Sequence, residues 1–155
     1  MAKATKGDLS IYQKRRTNSP NRATEKAESY EIKESLRLHQ AILDSANYSI
    51  IATTVDGVIC TFNATAERWL GYSALEIIGN CTPERFHDPL EIQQRASILT
   101  QELGREISAG FEVFAAKAKL GQSEESEWTY IRKDGSRFPV MLSISALRND
   151  DNQIS

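Results

Sequence analysis

Cysteine is scarce in this chain of 155 residues: Cys60 and Cys81 are the only two, and their spacing fits neither a zinc cluster nor a redox pair. A disulfide scaffold and a cysteine-ligated metal domain are thereby excluded. No apolar run approaches the ~20 residues that a membrane helix requires, so no spanning segment is expected. The N-terminus lacks an apolar stretch followed by small residues, so no secretory signal is expected and a reducing cytoplasm is the default location. Also missing are a glycine-rich phosphate loop, a nucleophile elbow, ligand-spaced histidines and carboxylates, internal repeats and low-complexity tracts. With no catalytic constellation, an enzyme in its own right is not expected.

What is present suits one domain with extensions, since this length closes a single core. The net charge of −2 is unevenly spread. Residues 1–26 carry seven Lys/Arg against Asp8 and Glu25, which leaves the remainder acidic. The Lys14-Arg15-Arg16 run lacks interleaved aromatics and an amphipathic face, so it reads as a solvated linker, with neither nucleic acid nor membrane as a partner. The polar composition of residues 1–27, with the turn cluster Asn18-Ser19-Pro20-Asn21, predicts a disordered basic tail.

Between Glu28 and Ala46, Ile32, Leu36, His39, Ile42, Leu43 and Ala46 recur at three- and four-residue steps, which predicts an amphipathic connector helix. Ser49–Val55 and Val58–Phe62 flank Asp56-Gly57 and predict a β-hairpin, with Val58, Cys60 and Phe62 on its core face. Asn63 is placed to cap a short helix that Gly71 ends, and Ser73 to Glu76 forms a capping box for a second. Asp88-Pro89-Leu90-Glu91 opens a longer helix that should stop at Gly104. A further helix is expected within Phe111–Leu120, and Glu124, Glu125 and Glu127 read as a solvated loop. Trp128–Arg132, the turn Lys133-Asp134-Gly135-Ser136 and the alternating run Phe138–Ala146 predict a second hairpin, followed by the polar turn Asn149–Asn152.

In this order the pieces Asp56-Gly57, Phe62-Asn63, Glu67–Tyr72, Glu76–Gly79, Phe86–Pro89, Trp128–Val140 and Leu142–Leu147 resemble a PAS domain over residues 47–155. The resemblance implies an α+β fold: an antiparallel sheet of strand order 2-1-5-4-3 with short helices over one face and a small internal pocket. It further implies a bacterial sensory module that relays a signal to an output domain such as a histidine kinase or diguanylate cyclase, in two-component systems or the regulation of transcription. The chain departs from the pattern after Asn152, where only Gln153-Ile154-Ser155 remain of the fifth, central strand. The expectation is a truncated strand, or its replacement by Leu9-Ser10-Ile11-Tyr12 or by that segment of a second copy.

Two functions compete on these grounds. The first is a ligand-binding and dimerising input module, in which Ile32, Leu36, His39 and Leu43 pair with a second copy and a small molecule occupies a pocket lined by Asn63, Trp69, Phe86, His87, Leu142 and Ile144. The second is a ligand-free protein-interaction platform, in which the same aromatics are plain core and Asn63 merely caps. No cofactor or metal is expected. Haem ligation by His87 is disfavoured because this histidine precedes the Asp88 cap instead of lying within the helix. In flavin-binding relatives a reactive cysteine lies near Cys81, but Gly79-Asn80-Cys81 is one residue short of that pattern. Cys81 then reads as a packed thiol and His87 as a packed loop residue.

Overall fold

A computed structural model describes residues 22–154. Helix α1 (Arg22–Ser45) starts earlier than Glu28, so residues 22–27, expected in the tail, are helical. The stretch Arg-Ala-Thr-Glu-Lys-Ala consists mostly of strong helix formers and contains no glycine or proline to oppose propagation. Lys14–Arg16 and Leu9–Tyr12 lie outside the described residues.

The chain forms two compact units divided after Arg37. The first is, in its described residues, helix throughout, with Tyr30, Ile32 and Leu36 exposed. The second holds the last turns of α1 and then β1 (Ile51–Thr53), β2 (Ile59–Phe62), α2 (Ala64–Leu70) and α3 (Ala74–Ile77). A 3-10 turn at Pro83–Phe86, α4 (Pro89–Leu103), α5 (Glu112–Lys119), β3 (Glu124–Ile131) and β4 (Arg137–Ile144) complete it.

Local chemistry accounts for most boundaries. The Asn63 side chain accepts from Ala66 N at the start of α2, and Gly71 ends that helix at φ +76°. The capping box of Ser73 and Glu76 opens α3. Asp88 caps α4 through Leu90 N, with Pro89 in the first turn and Gly104 at φ +65° beyond the last. Helix α4 is held against β3 by Glu91, whose carboxylate accepts from Thr129 N at 2.8 Å and Thr129 Oγ1 at 2.7 Å.

In the β1–β2 hairpin the register skips Cys60: Ala52 faces Thr61 and Thr53 faces Ile59. This bulge breaks the two-residue alternation, so Ile59 and Phe62 are both buried and Cys60 is exposed, contrary to its expected core position. Gly57 in the turn is buried at φ +89°, and an added Cβ would sit 2.5 Å from the Phe111 ring. Gly57→Ala combines left-handed strain with displacement of that ring and is expected to cost about 2–3 kcal/mol in urea unfolding.

Two core clusters result. Ile92, Ala96 and Leu99 of α4 pack with Val113, Phe114 and Ala116 of α5 and with Trp128. Ile59, Phe62, Ala66, Leu70, Ile77, Phe86 and Tyr130 form the other. The charge run expected as a loop belongs to β3, because β4 reaches back far enough to pair Glu124 with Ile144 and Glu127 with Met141. Glu125 and Glu127 take the solvent face, while Glu124 is half-buried beside Lys117 at 3.2 Å.

The strands form two antiparallel ladders, β1-β2 and β3-β4. These are the 2-1 and 4-3 halves of the expected order, and among the described residues no strand lies between β1 and β4. The Asn149–Asn152 turn folds the chain back on the residues that follow β4: Asn149 N donates to Gln153 O at 2.9 Å, and Arg148 bridges to Ile154.

Candidate functional site

The first feature is a joint at Asn63, which is fully buried. Its Oδ1 accepts from Ile50 N at 2.9 Å and Ala66 N at 3.0 Å, and its Nδ2 donates to Leu43 O at 2.8 Å and Tyr48 O at 3.0 Å. One amide therefore satisfies the last turn of α1, the entry to β1 and the start of α2, using its full donor set and both acceptor directions. Asp44 Oδ1 accepts from Ala64 N at 2.9 Å, and Thr65 Oγ1 donates to Ala46 O at 2.7 Å. The Ala64 bond, foremost, lowers the Asp44 pKa.

The second is a groove of about 340 Å³ between the open edges of β1 and β4. Ile50–Val55 line one bank, Leu142–Leu147 the other, and Ile154 also contributes. Pro83, His87, Phe111, Phe114, Ala115, Ala118 and Tyr130 also line it. The lining is mainly apolar, with Lys119 its one formally charged side chain at neutral pH.

His87 is 3% exposed and stands among aromatic rings, its centroid 4.5 Å from Phe114, 5.0 Å from Trp128 and 4.9 Å from Tyr130. Nδ1 lies 2.8 Å from Pro83 O. A carbonyl only accepts, so Nδ1 carries the proton and Nε2 presents a lone pair. That Nε2 is buried with no hydrogen-bond partner among the described residues. Burial lowers the His87 pKa to about 4 against the opposing pull of the Pro83 carbonyl, Glu91 and Glu84, so the ring is neutral at pH 7. Desolvation likewise raises Tyr130 to about 12.

Of the six side chains expected to line a pocket, the structure brings His87, Leu142 and Ile144 to the groove. Asn63 is consumed by the joint, and Phe86 is fully buried in the cluster around Ile59. Trp69 is 39% exposed and borders a separate depression with Tyr48, Ser49 and Phe138. Leu43 is half-buried at the joint, whereas Ile32, Leu36 and His39 are exposed. Phe111, Phe114, Ala115 and Ala118 were missed, although their three- and four-residue spacing marks one face of α5. Cys81 is half-buried against the cluster around Ile59 and does not line the groove, so this thiol is not placed to react with a molecule held there.

Two antiparallel hairpins with short helices around a groove define an α+β module. The PAS domain model matches residues 47–155, and the chain belongs to the PAS domain family, with the PAS fold. The structure is similar to the PAS domain of an HTR-like protein from Haloarcula marismortui: 21% identity, 82% of this chain and 91% of that one, TM-score 0.54. It is also similar to a domain of the sensory box sensor histidine kinase/response regulator from Geobacter sulfurreducens: 16% identity, 78% and 90% coverage, TM-score 0.53. The Rhodobacter sphaeroides LOV protein matches at 14% identity, with 79% and 62% coverage and a TM-score of 0.54. At these identities the likeness is one of fold. A comparison with curated proteins finds no match. No described helix is long and apolar enough to cross a membrane.

Proposed function

We propose that this PAS module couples events in its groove to a homodimer formed through α1, and so biases an output domain or partner in signal transduction. The observation that carries the reading is the Asn63 joint. Ile50 lines the groove and donates to Asn63, and the same amide holds Leu43 O at the end of α1. A displacement of β1 by an occupant of the groove would therefore reach the helix through one buried side chain instead of a flexible linker. The relay requires that the groove's two states prefer different orientations of the helix.

The α1 surface supports the second half. Leu36 is 63% exposed and Ile32 61%, and with His39 and Leu43 they follow the four-three-four spacing of a coiled-coil seam. The occupant of that seam is a second copy of the helix. PAS domains are sensory modules without catalysis of their own, and the Geobacter sulfurreducens domain belongs to a histidine kinase/response regulator. The same kind of output suits this chain, in a reducing cytoplasm where the free Cys60 and Cys81 would stay thiols.

Leu36→Glu places a charge in the seam. Light scattering is expected to give a dimer mass for the wild type and a monomer mass for the variant. An unchanged mass in Leu36→Glu would refute the α1 relay.

A further inference from the structure

We infer that two copies of α1 pair in parallel and in register, with their two His39 rings facing each other, so that protonation of this layer separates the helices. This pairing rests on the homodimer proposed above and adds to it a geometry and a control.

The steps from Ile32 to Leu36, His39 and Leu43 are four, three and four residues, so Leu36 and Leu43 take position a of a heptad and Ile32 and His39 take d. Glu28 then falls at g and Lys33 at the following e, the two positions that meet across a parallel pair. Each Glu28 thus faces the partner subunit's Lys33, and the two-fold axis repeats the contact. Within one helix the two do not meet, because side chains three or four residues apart are the neighbours. The ion pair that α1 does form among the described residues, Arg37 with Glu34, uses neither. Antiparallel pairing of the same seam sets Leu36 against the partner subunit's His39 and leaves Glu28 without Lys33. It also carries about two turns at the start of each helix past the other's end at Ser45, whereas parallel pairing keeps Arg22–Ser45 alongside throughout.

His39 is exposed, and in the pair it lies between the Leu36 and Leu43 layers. Two neutral rings there can share an N–H···N bond, and a lone polar layer fixes the register because a shift would set it against leucine. Imidazole changes charge between pH 5 and 8, and two imidazoliums in that layer have only each other to face. The neighbours one turn away, Ser35, Leu36, Ile42 and Leu43, do not titrate. Glu34, Arg37 and Asp44 lie at least about 140° round the helix from His39, and Asp44 accepts from Ala64 N. Lys33 flanks the seam almost two turns away and is itself a cation. No carboxylate is placed to hold the protons once the helices pair.

Sedimentation equilibrium of the full chain tests both parts. The wild type is expected to be a dimer near about pH 8 and to bind its copy about tenfold more weakly near about pH 6, because the monomers take up two protons that the pair refuses. His39→Leu should stay dimeric at both values, and as it retains His87, acid effects on the PAS core do not account for the difference. Glu28→Lys and Lys33→Glu should each self-associate less tightly than the wild type. An equal mixture of the two should regain its affinity, since the mixed pair restores both contacts. A wild-type affinity unchanged by pH, or a His39→Leu dimer as acid-sensitive as the wild type, would overturn the His39 control. A mixture no tighter than its components would overturn the parallel geometry. Either result leaves the dimer standing, whereas a wild type that is monomeric, trimeric or tetrameric near about pH 8 removes the dimer and this inference together.

Discussion

Asn63→Ala is expected to destabilise the PAS module by about 3–5 kcal/mol, far more than loss of a helix cap, which costs about 1 kcal/mol. The difference comes from what the amide leaves behind. Alanine abandons Ile50 N, Ala66 N, Leu43 O and Tyr48 O at a fully buried position, and only those that water can reach recover a partner. Asn63→Asp is the informative companion. It keeps an acceptor for Ala66 N but offers no donor, and it places an anion against the carbonyls of Leu43 and Tyr48, so it should be destabilising as well. Urea midpoints for the two variants distinguish the cases. A loss near 1 kcal/mol for alanine would show that Asn63 acts as a cap alone and that the joint contributes little. The same experiment bears on function, since a relay from groove to helix through this side chain should be uncoupled in any variant that still folds.

Acid is expected to remove about 3 kcal/mol of stability between pH 6.5 and 4, and His87 is the source. Its folded-state pKa is depressed to about 4, while the unfolded chain titrates near 6.5. Between those values the unfolded state binds a proton that the folded state refuses, so stability is full above 6.5 and falls as the pH drops toward 4. Glu84 and Glu91 are the carboxylates whose charge favours the imidazolium. Denaturation midpoints as a function of pH should therefore slope in this interval for the wild type and lose most of the slope in His87→Phe. A flat wild-type profile would mean that water reaches the ring. At the alkaline end the sign reverses: Tyr130 is raised to about 12, so its contribution is present below pH 10 and fades as the pH rises through 12.

The parts of the fold that could be read from sequence are those decided within a few residues. Asp88-Pro89 and Gly104 bound α4 because cap chemistry acts over one turn. Lys133–Ser136 joins β3 to β4 because Gly135 accepts the positive φ of 83° that its turn requires. Phe138, Val140, Leu142 and Ile144 alternate on one face in sequence and in structure. The same logic failed at Cys60, where one bulged residue shifts the alternation, and at Glu124–Glu127, where a polar run becomes strand only because β4 pairs with it.

For the site, the sequence by itself determined which residues could act: Asn63 as a cap, His87 beside one, and the aromatics as core or wall. Tertiary structure decided which of them do. Asn63 became a four-bond joint only when α1, β1 and α2 met around it, and His87 became a neutral acceptor only when Phe114, Trp128 and Tyr130 closed over a ring anchored to Pro83. Caps, turns and alternation are interactions among near neighbours, so composition and spacing encode them directly. Burial, register and the open space between β1 and β4 arise from residues far apart in the chain, and their energies exist only once those residues are brought together.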